Sequence, residues 1–177
     1  MPRIKALQNH ELDAATAATL SDVSRKLGMV PNLFATLAHA PAALNGYLGL
    51  TETLAGGRLS AAQREIVALA VGQRNACQYC LSAHTLLGRN AGLSAQQIAL
   101  ARSGRADTAL DTAIARFAAQ LTEQRGRLSS ADLQGLRQAG LDDGLMLEVV
   151  AQVALNVLTN YTNHVAGTEV DFPVVDV

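Results

Sequence analysis

The chain has 177 residues and a formal net charge of −1, with 14 basic and 15 acidic residues, and 49% of its residues are hydrophobic. This length predicts one domain over residues 1–177, and the apolar fraction is ample for a buried core. Because charges of both signs are mixed and no apolar run is long enough to cross a bilayer, the sequence argues against a nucleic-acid partner and against a membrane partner.

The first third of the chain predicts three helices separated by prolines. Apolar residues at helical spacing predict a helix over residues 12–27. Pro31 breaks the chain, because the residue before a proline is disfavoured in a helix, and a short helix follows over residues 33–38. Pro41 suits the first turn of a third helix, over residues 41–54.

The middle of the chain carries two capping-box sequences, in which a serine precedes a glutamine by three residues. The first opens a helix over residues 60–74. That helix is apolar nearly all round from Ile66 to Val71, so we expect it to be buried. A second helix begins near Cys77 and runs over residues 77–90. The second capping box opens a helix over residues 94–103.

Three further helices are predicted in the last third of the chain, over residues 111–124, 129–138 and 143–165. An extended arm is expected from Gly167 onward. No stretch alternates between apolar and polar residues as a half-buried β-strand does. We therefore predict an all-α, single-domain helical bundle of about seven or eight helices.

The only two cysteines, Cys77 and Cys80, form a C-x-x-C motif, and His84 follows four residues later. On a helix with about 100° per residue, the three side chains lie within roughly 60° of one another. Cys77 falls in the first turn, where free N–H groups and the helix dipole stabilise a thiolate. The N-terminus lacks the apolar core of a signal peptide, so we expect a cytoplasmic location, where such a pair indicates redox chemistry or metal binding.

His84 lies one helical turn after Cys80, and helical side chains lean toward the N-terminus, so its imidazole is placed to assist Cys80. This arrangement favours Cys80 as the nucleophile and Cys77 as the resolving thiol. Glu65 stands in an otherwise apolar segment, where a carboxylate is costly without a partner. It can meet His84 only if the preceding helix packs alongside, and it would then orient the imidazole.

Two other interpretations of the cysteine pair stay open. The thiols could be packing residues, or they could be half of a zinc site in which His84 is a third ligand and Glu65 or a partner subunit supplies a fourth. A structural zinc site needs about four ligands, and no second C-x-x-C exists in the chain. We therefore predict neither a metal nor another cofactor.

Four residues carry a resemblance to a known family: Glu65, Cys77, Cys80 and His84. Their identities and spacing are similar to the motif of the alkyl hydroperoxidase D and carboxymuconolactone decarboxylase superfamily, and most of all to its peroxidase-related members. Residues 28–34, 156–164 and 169–173 are also similar, so the likeness covers nearly the whole chain. The resemblance implies an all-helical fold that assembles into homo-trimers or hexamers.

The resemblance also implies an activity. In such proteins the C-x-x-C pair reduces a peroxide and becomes a disulfide, which a dithiol donor then reduces. By this resemblance Cys80 is the peroxidatic cysteine and Cys77 the resolving one, while Glu65 and His84 relay a proton. We therefore predict a thiol-dependent peroxidase whose electron donor is a thioredoxin-like or dihydrolipoyl protein.

Tyr79 is a departure from the family pattern, since alkyl hydroperoxidase D has a second histidine at this position. The relay is then either shortened or completed by the Tyr79 hydroxyl. His164 either lines the pocket or a subunit interface, or is a hydrogen-bonded structural residue, whereas His10 and His39 are expected at the surface. Two other functions stay open: a redox-sensing or disulfide-reductase protein on the same fold, and a decarboxylase- or isomerase-like enzyme that uses the glutamate and histidine as acid and base.

Overall fold

A computed structural model describes residues 1–177 as nine α-helices with no β-strand, which confirms the all-helical prediction. Eight of the helices have at least seven residues, in line with the predicted seven or eight, and the ninth is the short α2 of six residues, which was predicted over residues 33–38. A single 3-10 turn at Asn9–Glu11 precedes the helices. The helices are α1 (Ala14–Leu27), α2 (Asn32–Leu37), α3 (Pro41–Ala55), α4 (Ala61–Arg74), α5 (Gln78–Asn90), α6 (Ala95–Arg102), α7 (Ala109–Gln124), α8 (Ser130–Gln138) and α9 (Asp143–Ala166).

Side-chain caps set most of the helix starts. Ser60 and Ser94 each accept a hydrogen bond from the backbone N–H three residues later, and the glutamine there bonds back to the serine N–H, as the capping boxes predicted. Helix α7 begins two residues before the predicted start at Asp111, because the Thr108 hydroxyl accepts from the Asp111 N–H and caps the helix there. Helix α1 begins later than predicted, since Asp13 is its N-cap.

Helix α4 is the centre of the fold and packs against α5, α6, α7 and α9. Every residue from Ile66 to Gly72 is buried, so the expectation that this segment lies inside the protein is confirmed. Val67, Leu69 and Val71 are completely excluded from solvent. Each such side chain contributes about 1.5–3 kcal/mol by leaving water. This burial fixes the position of the helix that carries Glu65.

The apolar side chains gather in three clusters. The largest lies between α4, α7, α8 and α9, around Ile114 and Val149. A second joins α1, α2 and α3 to the start of α5 and includes both cysteines. The third lies between α4, α5, α6 and α7, around Leu69 and Leu81. The cysteines are therefore inside the protein core.

The segment after α9 forms an extended arm that is tied to the body of the protein. Gly167 ends the helix in the left-handed conformation, with φ of 61°. The Asp171 carboxylate then accepts a hydrogen bond of 2.7 Å from the Asn32 N–H, and the Phe172 ring packs edge-on against Tyr79. The arm thus covers the region where α2 meets α5. None of the helices is both long and apolar enough to span a bilayer.

Candidate active site

The C-x-x-C motif lies at the very start of α5. Only Asn75 and Ala76 separate the end of α4 from Cys77, and Ala76 makes this sharp turn in the left-handed conformation, with φ of 50°. Cys77 is the N-cap of α5, and its sulfur accepts from the Cys80 N–H at 3.4 Å. The two cysteines form a disulfide, with Cα atoms 5.3 Å apart. The sequence correctly predicted that α5 begins at this motif.

Both cysteines are deeply buried, with 1% of Cys77 and 3% of Cys80 exposed. They pack against apolar residues of α1, α2 and α3, including Leu33, Phe34 and Leu44. An apolar surrounding disfavours a thiolate unless hydrogen-bond donors face the sulfur. The donors on each sulfur therefore decide which thiol ionises after reduction.

Two asparagines of α9 donate to the Cys80 sulfur. The Asn160 amide nitrogen lies 3.0 Å from it and that of Asn163 lies 3.3 Å from it. Asn75 in turn donates to the Asn160 amide oxygen at 2.8 Å. The sequence analysis did not assign these asparagines to the cysteines, because they lie 80 or more residues away along the chain.

A signal for these amides was nevertheless present in the sequence. Helix α9 carries four carboxamide side chains on its buried face, at intervals of four, four and three residues: Gln152, Asn156, Asn160 and Asn163. Residues at such intervals lie on one side of a helix. Polar residues on the core face of an apolar helix need partners, so this pattern indicates a polar site inside the bundle.

Glu65 of α4 and His84 of α5 are brought together by the packing of these two helices. The Glu65 Oε2 and His84 Nδ1 atoms lie 2.8 Å apart, and the two side chains are 18% and 19% exposed. Because a carboxylate only accepts, Nδ1 carries the hydrogen of this bond. In the neutral imidazole, the Nε2 atom of His84 then keeps its lone pair and can accept a proton.

A cavity of about 730 Å³ opens beside this pair. Glu65 and His84 lie on its wall together with Gln152 and Asn156 of the buried α9 face, whereas neither cysteine lines it. The rest of the wall is about half apolar and half polar. Its apolar residues are Val23, Leu27, Phe34, Tyr47, Leu48, Ala55, Leu87 and Leu155. Its polar residues are Thr19, Asp22, Lys26, Asn45, Thr51, Glu52 and Arg64.

Tyr47 supplies a hydroxyl to the cavity that the sequence analysis did not single out. Burial raises the pKa of the Tyr47 hydroxyl, and the negative charge of Glu65 acts in the same direction. The hydroxyl therefore stays protonated and can donate a hydrogen bond. The Tyr47 ring is held by Phe34, whose ring centre lies 5.5 Å away. Nothing in the local sequence around Tyr47 distinguishes it from a packing tyrosine.

Tyr79 lies between the two cysteines but does not line the cavity. Its ring is buried, and its hydroxyl accepts a hydrogen bond of 3.2 Å from the Leu33 N–H. Burial raises the pKa of this hydroxyl far above its usual value, and Asp171 of the C-terminal arm adds to the effect. Tyr79 thus ties α5 to α2 and to the arm.

The remaining histidines lie outside the cavity. His164, in the last turn of α9, has an exposed side chain, and its backbone carbonyl accepts from the Arg3 guanidinium. His10 and His39 are exposed, as predicted. No group of three or more histidine, cysteine, aspartate or glutamate side chains is arranged to hold a metal ion.

The carboxymuconolactone decarboxylase family matches the chain over residues 40–124, which include the disulfide and the Glu65–His84 pair. No curated protein matches the chain significantly. Among solved structures, a peroxidase-related protein with an alkylhydroperoxidase AhpD core from Ralstonia eutropha JMP134 is similar, with a TM-score of 0.86 and 24% identity over 96% of this chain and 92% of that one.

Two further solved structures share the fold. A peroxidase-related protein from Silicibacter sp. TM1040 has a TM-score of 0.81 and 25% identity over 94% of this chain and 91% of that one. The debrominase Bmp8, in a cysteine-to-alanine variant in complex with 2,3,4-tribromopyrrole, has a TM-score of 0.80 and 15% identity over 95% of this chain and 91% of that one.

The fold and the site together define an all-helical, AhpD-like protein with a paired-cysteine centre. Residues 40–124 match the carboxymuconolactone decarboxylase family, and the fold of nearly the whole chain is that of the AhpD-core and peroxidase-related structures. Since the proteins on this fold include a debrominase beside the peroxidase-related ones, the fold serves more than one chemistry. The reaction has to be argued from the residues of this chain.

Proposed function

We propose that this protein is a thiol-dependent peroxidase that cycles Cys77 and Cys80 between the dithiol and the disulfide. The observation that carries the proposal is the closed Cys77–Cys80 disulfide on the same helix as His84, whose Nδ1 lies 2.8 Å from Glu65. A disulfide between residues three apart at a helix start opens and closes with little movement of the chain. That property suits a catalytic pair better than a structural crosslink.

The first step oxidises Cys80. Its thiolate attacks one peroxide oxygen, the O–O bond breaks, and Cys80 becomes a sulfenic acid while the departing oxygen takes a proton and leaves as an alcohol or water. His84 is the proposed relay, taking the thiol proton on Nε2 and giving it to the departing oxygen. Glu65 holds the imidazole and balances its positive charge while the proton is on it.

The second step closes the disulfide. The Cys77 sulfur attacks the Cys80 sulfur, the sulfenic oxygen leaves as water, and both cysteines are then oxidised. A dithiol donor returns the two electrons by thiol–disulfide exchange. We propose a thioredoxin-like or dihydrolipoyl protein as this donor, a cytoplasmic location, and a homo-oligomer as the working assembly.

The cavity supports an organic hydroperoxide as the substrate. Its volume of about 730 Å³ exceeds what hydrogen peroxide needs, and its mixed wall places apolar residues beside polar and charged ones, including the Glu65–His84 pair. Asn156 on this wall precedes Asn160 by one helical turn, which is a rise of about 6 Å. A peroxide group bound against the inner wall is thus one turn away from the donors on the Cys80 sulfur.

Steady-state consumption of hydrogen peroxide, a small alkyl peroxide and a lipid peroxide, with thioredoxin-like and dihydrolipoyl donors, tests the proposal. We expect turnover with at least one organic peroxide. A disulfide that forms without turnover would instead indicate a redox-sensing protein. Activity on another substrate in the Cys77→Ser/Cys80→Ser double variant would indicate an acid–base enzyme that uses Glu65 and His84.

The single-cysteine variants test the two roles. After one equivalent of peroxide, Cys77→Ser should carry a sulfenic acid on Cys80 that a dimedone-type probe traps, and Cys80→Ser should stay unmodified, because His84 lies one helical turn from Cys80 and about two turns from Cys77. Mass spectrometry of each variant gives the result. A trapped probe on Cys77 together with an unmodified Cys80 would reverse the roles.

A further inference from the structure

The two sulfurs of the pair have unequal surroundings. The Cys80 sulfur accepts from two side-chain amides, those of Asn160 and Asn163, at 3.0 and 3.3 Å. The Cys77 sulfur accepts only the backbone N–H of Cys80, at 3.4 Å. Asn160 is completely buried and Asn163 is 5% exposed, so water does not compete for these donors.

The Asn160 amide has a defined orientation. An asparagine side chain can present either its NH₂ group or its oxygen to a neighbour, and only its other partners decide between them. Asn75 donates its own amide hydrogen to the Asn160 oxygen at 2.8 Å. The NH₂ group of Asn160 must therefore point toward the Cys80 sulfur, which makes Asn75 a positioning residue.

Asn163 differs from Asn160 in one respect. Its amide nitrogen donates to the Cys80 sulfur, but its oxygen is buried and has no hydrogen-bond partner. A buried acceptor without a partner is uncommon and needs a physical reason. While Cys80 is in the disulfide, its sulfur has no hydrogen to offer. A Cys80 thiol or sulfenic acid does carry a hydrogen that this oxygen can accept.

We propose that Asn160 and Asn163 form an amide clamp on the Cys80 sulfur that makes Cys80, and not Cys77, the more acidic thiol of the reduced pair. An amide N–H donated to a thiolate is a charge-assisted hydrogen bond, and a bond made to the charged form lowers the pKa of the group. The Asn163 oxygen holds the hydrogen of the Cys80 thiol or sulfenic acid in the other states of the cycle.

The clamp counteracts the effect of the helix N-terminus, which would otherwise favour a thiolate on Cys77. Cys77 is the N-cap of α5, and a thiolate at a helix N-terminus is favoured by the free N–H groups and the dipole. Without the asparagines, Cys77 should therefore be the more acidic thiol. The inference deepens the proposed peroxidase function, since it assigns the residues that choose the attacking sulfur.

The test is a pH titration of the thiolate absorbance in the full-length Cys77→Ser protein, in which Cys80 is the only thiol. Asn160→Leu and Asn163→Leu should each raise the pKa of Cys80 by about 1, which lowers its thiolate fraction about 10-fold at a pH well below both pKa values. Asn75→Ala should cause a smaller rise, because it leaves the Asn160 donor present but unoriented. Thr159→Val is the matched control, since Thr159 is a buried residue of α9 whose hydroxyl bonds to the Asn156 carbonyl instead.

Companion titrations of Cys80→Ser, in which Cys77 is the only thiol, should show no rise in its pKa with the same asparagine changes. The proposal is wrong if Asn75→Ala and every folded asparagine variant leave the pKa of Cys80 unchanged, or if Thr159→Val raises it equally. Asn75 is half-buried at the end of α4, so its replacement keeps the test available should the core variants fail to fold. The titration uses no peroxide, so failure of the peroxidase assay and failure of the clamp are separate results.

Discussion

His84 and Glu65 link the helix of the cysteines to a carboxylate on the wall of the cavity. The pair lies on the cavity wall, and Glu65 leaves Nε2 of His84 as the free base. The side-chain donors to the Cys80 sulfur are the amides of Asn160 and Asn163 on α9. His84 is the only imidazole on α5 that could take the proton of the Cys80 thiol. We therefore expect His84 to transfer the thiol proton, and the asparagines to stabilise the negative charge on the Cys80 sulfur.

His84→Ala should slow the reaction of Cys80 with peroxide by about 10²-fold or more, the usual scale for a lost general base. Glu65→Gln should slow it less, because the amide still holds the imidazole but no longer balances its charge. Single-turnover kinetics of the reduced protein give both rates. His39→Ala is the control, since His39 is exposed and lies outside the cavity. An unchanged rate in His84→Ala would remove this histidine from the mechanism.

At the scale of residues, the sequence predicted what lies within one helix. The spacing of Cys77, Cys80 and His84 was sufficient because all three belong to α5 or its N-cap. Glu65 required the additional assumption that α4 packs beside α5, which the short connection of three residues between the helices makes natural. The contacts of Asn160 and Asn163 with Cys80 depend on how α9 docks, and no local pattern gives that docking.

Among the elements, α4 has the most neighbours and its start depends on one hydroxyl. Ser60 accepts from the Gln63 N–H at 3.2 Å, and Gln63 returns the bond to the Ser60 N–H at 3.0 Å. Ser60→Ala leaves these donors to water and should cost about 1 kcal/mol. For a chain of this size that corresponds to a fall in Tm of about 2–4 °C.

Thermal unfolding followed by circular dichroism measures this loss. Ser21→Ala is the control, since Ser21 is an exposed residue inside α1 and caps no helix. Equal Tm values for Ser60→Ala and the parent protein would show that the start of α4 does not depend on the capping box. Glu65 and part of the cavity wall belong to α4. A fall in Tm would therefore show that the cap stabilises the helix that carries them.

The start of α9 is held by a charged pair that makes stability depend on pH. Asp142 caps α9 through the Leu145 N–H, and both of its oxygens accept from the Arg58 guanidinium at 2.7 Å. The Arg58 hydrogen bonds, followed by that of the Leu145 N–H, hold the pKa of the Asp142 carboxyl well below its usual value of 3.8. A carboxyl with a lowered pKa stabilises the fold above its usual pKa and loses that contribution as the pH falls toward the folded-state pKa.

Asp142→Asn should therefore lower Tm at neutral pH, and the difference from the parent protein should shrink as the pH falls below about 4. Arg58→Met, which keeps the carboxyl but removes its partner, should show the same trend. Thermal unfolding over a pH series gives the comparison. A Tm difference that stays constant across the series would mean that the Arg58–Asp142 pair has no part in the pH dependence.

At the scale of elements, the sequence predicted the helix starts well wherever it contained a capping box. Ser60 and Ser94 are N-caps as their capping boxes indicated. The errors at α1 and α7 arose where the cap was an aspartate just inside the predicted helix or a threonine before its predicted start. The C-terminal arm was expected to be extended, but its docking on α2 and α5 depends on contacts between distant parts of the chain.

At the scale of the whole molecule, the outer face of α9 indicates a contact with another chain. Residues 147, 151, 154, 158, 161 and 165 follow one another at alternating intervals of four and three, which is the spacing of a coiled-coil seam. The large apolar residues on this face are exposed: Leu147 by 69%, Leu158 by 41%, Tyr161 by 57% and Val165 by 62%. An apolar stripe of this length along one helix is unusual on a monomer.

We propose that a second copy of this chain covers the stripe, because a seam of this spacing is complementary to the same face of an identical helix. The buried face of α9 carries the amides that touch Cys80, so the assembly would hold the helix on which the candidate site depends. The trimer or hexamer implied by the sequence resemblance stays a prediction.

Leu158→Glu places a charge at the middle of the seam and should dissociate the assembly, because a carboxylate is costly to bury without a partner. Light scattering at micromolar concentration should give an oligomer for the parent protein and a smaller species for the variant. Leu50→Glu is the matched control, since Leu50 is an exposed leucine of α3, 38% accessible, outside both the cavity and the seam. A monomeric parent protein, or an oligomer unchanged by Leu158→Glu, would show that α9 is not the contact between copies. If the assembly dissociates as expected, a raised pKa of Cys80 in the Leu158→Glu protein would show that the contact also steadies the asparagines on the opposite face of the same helix.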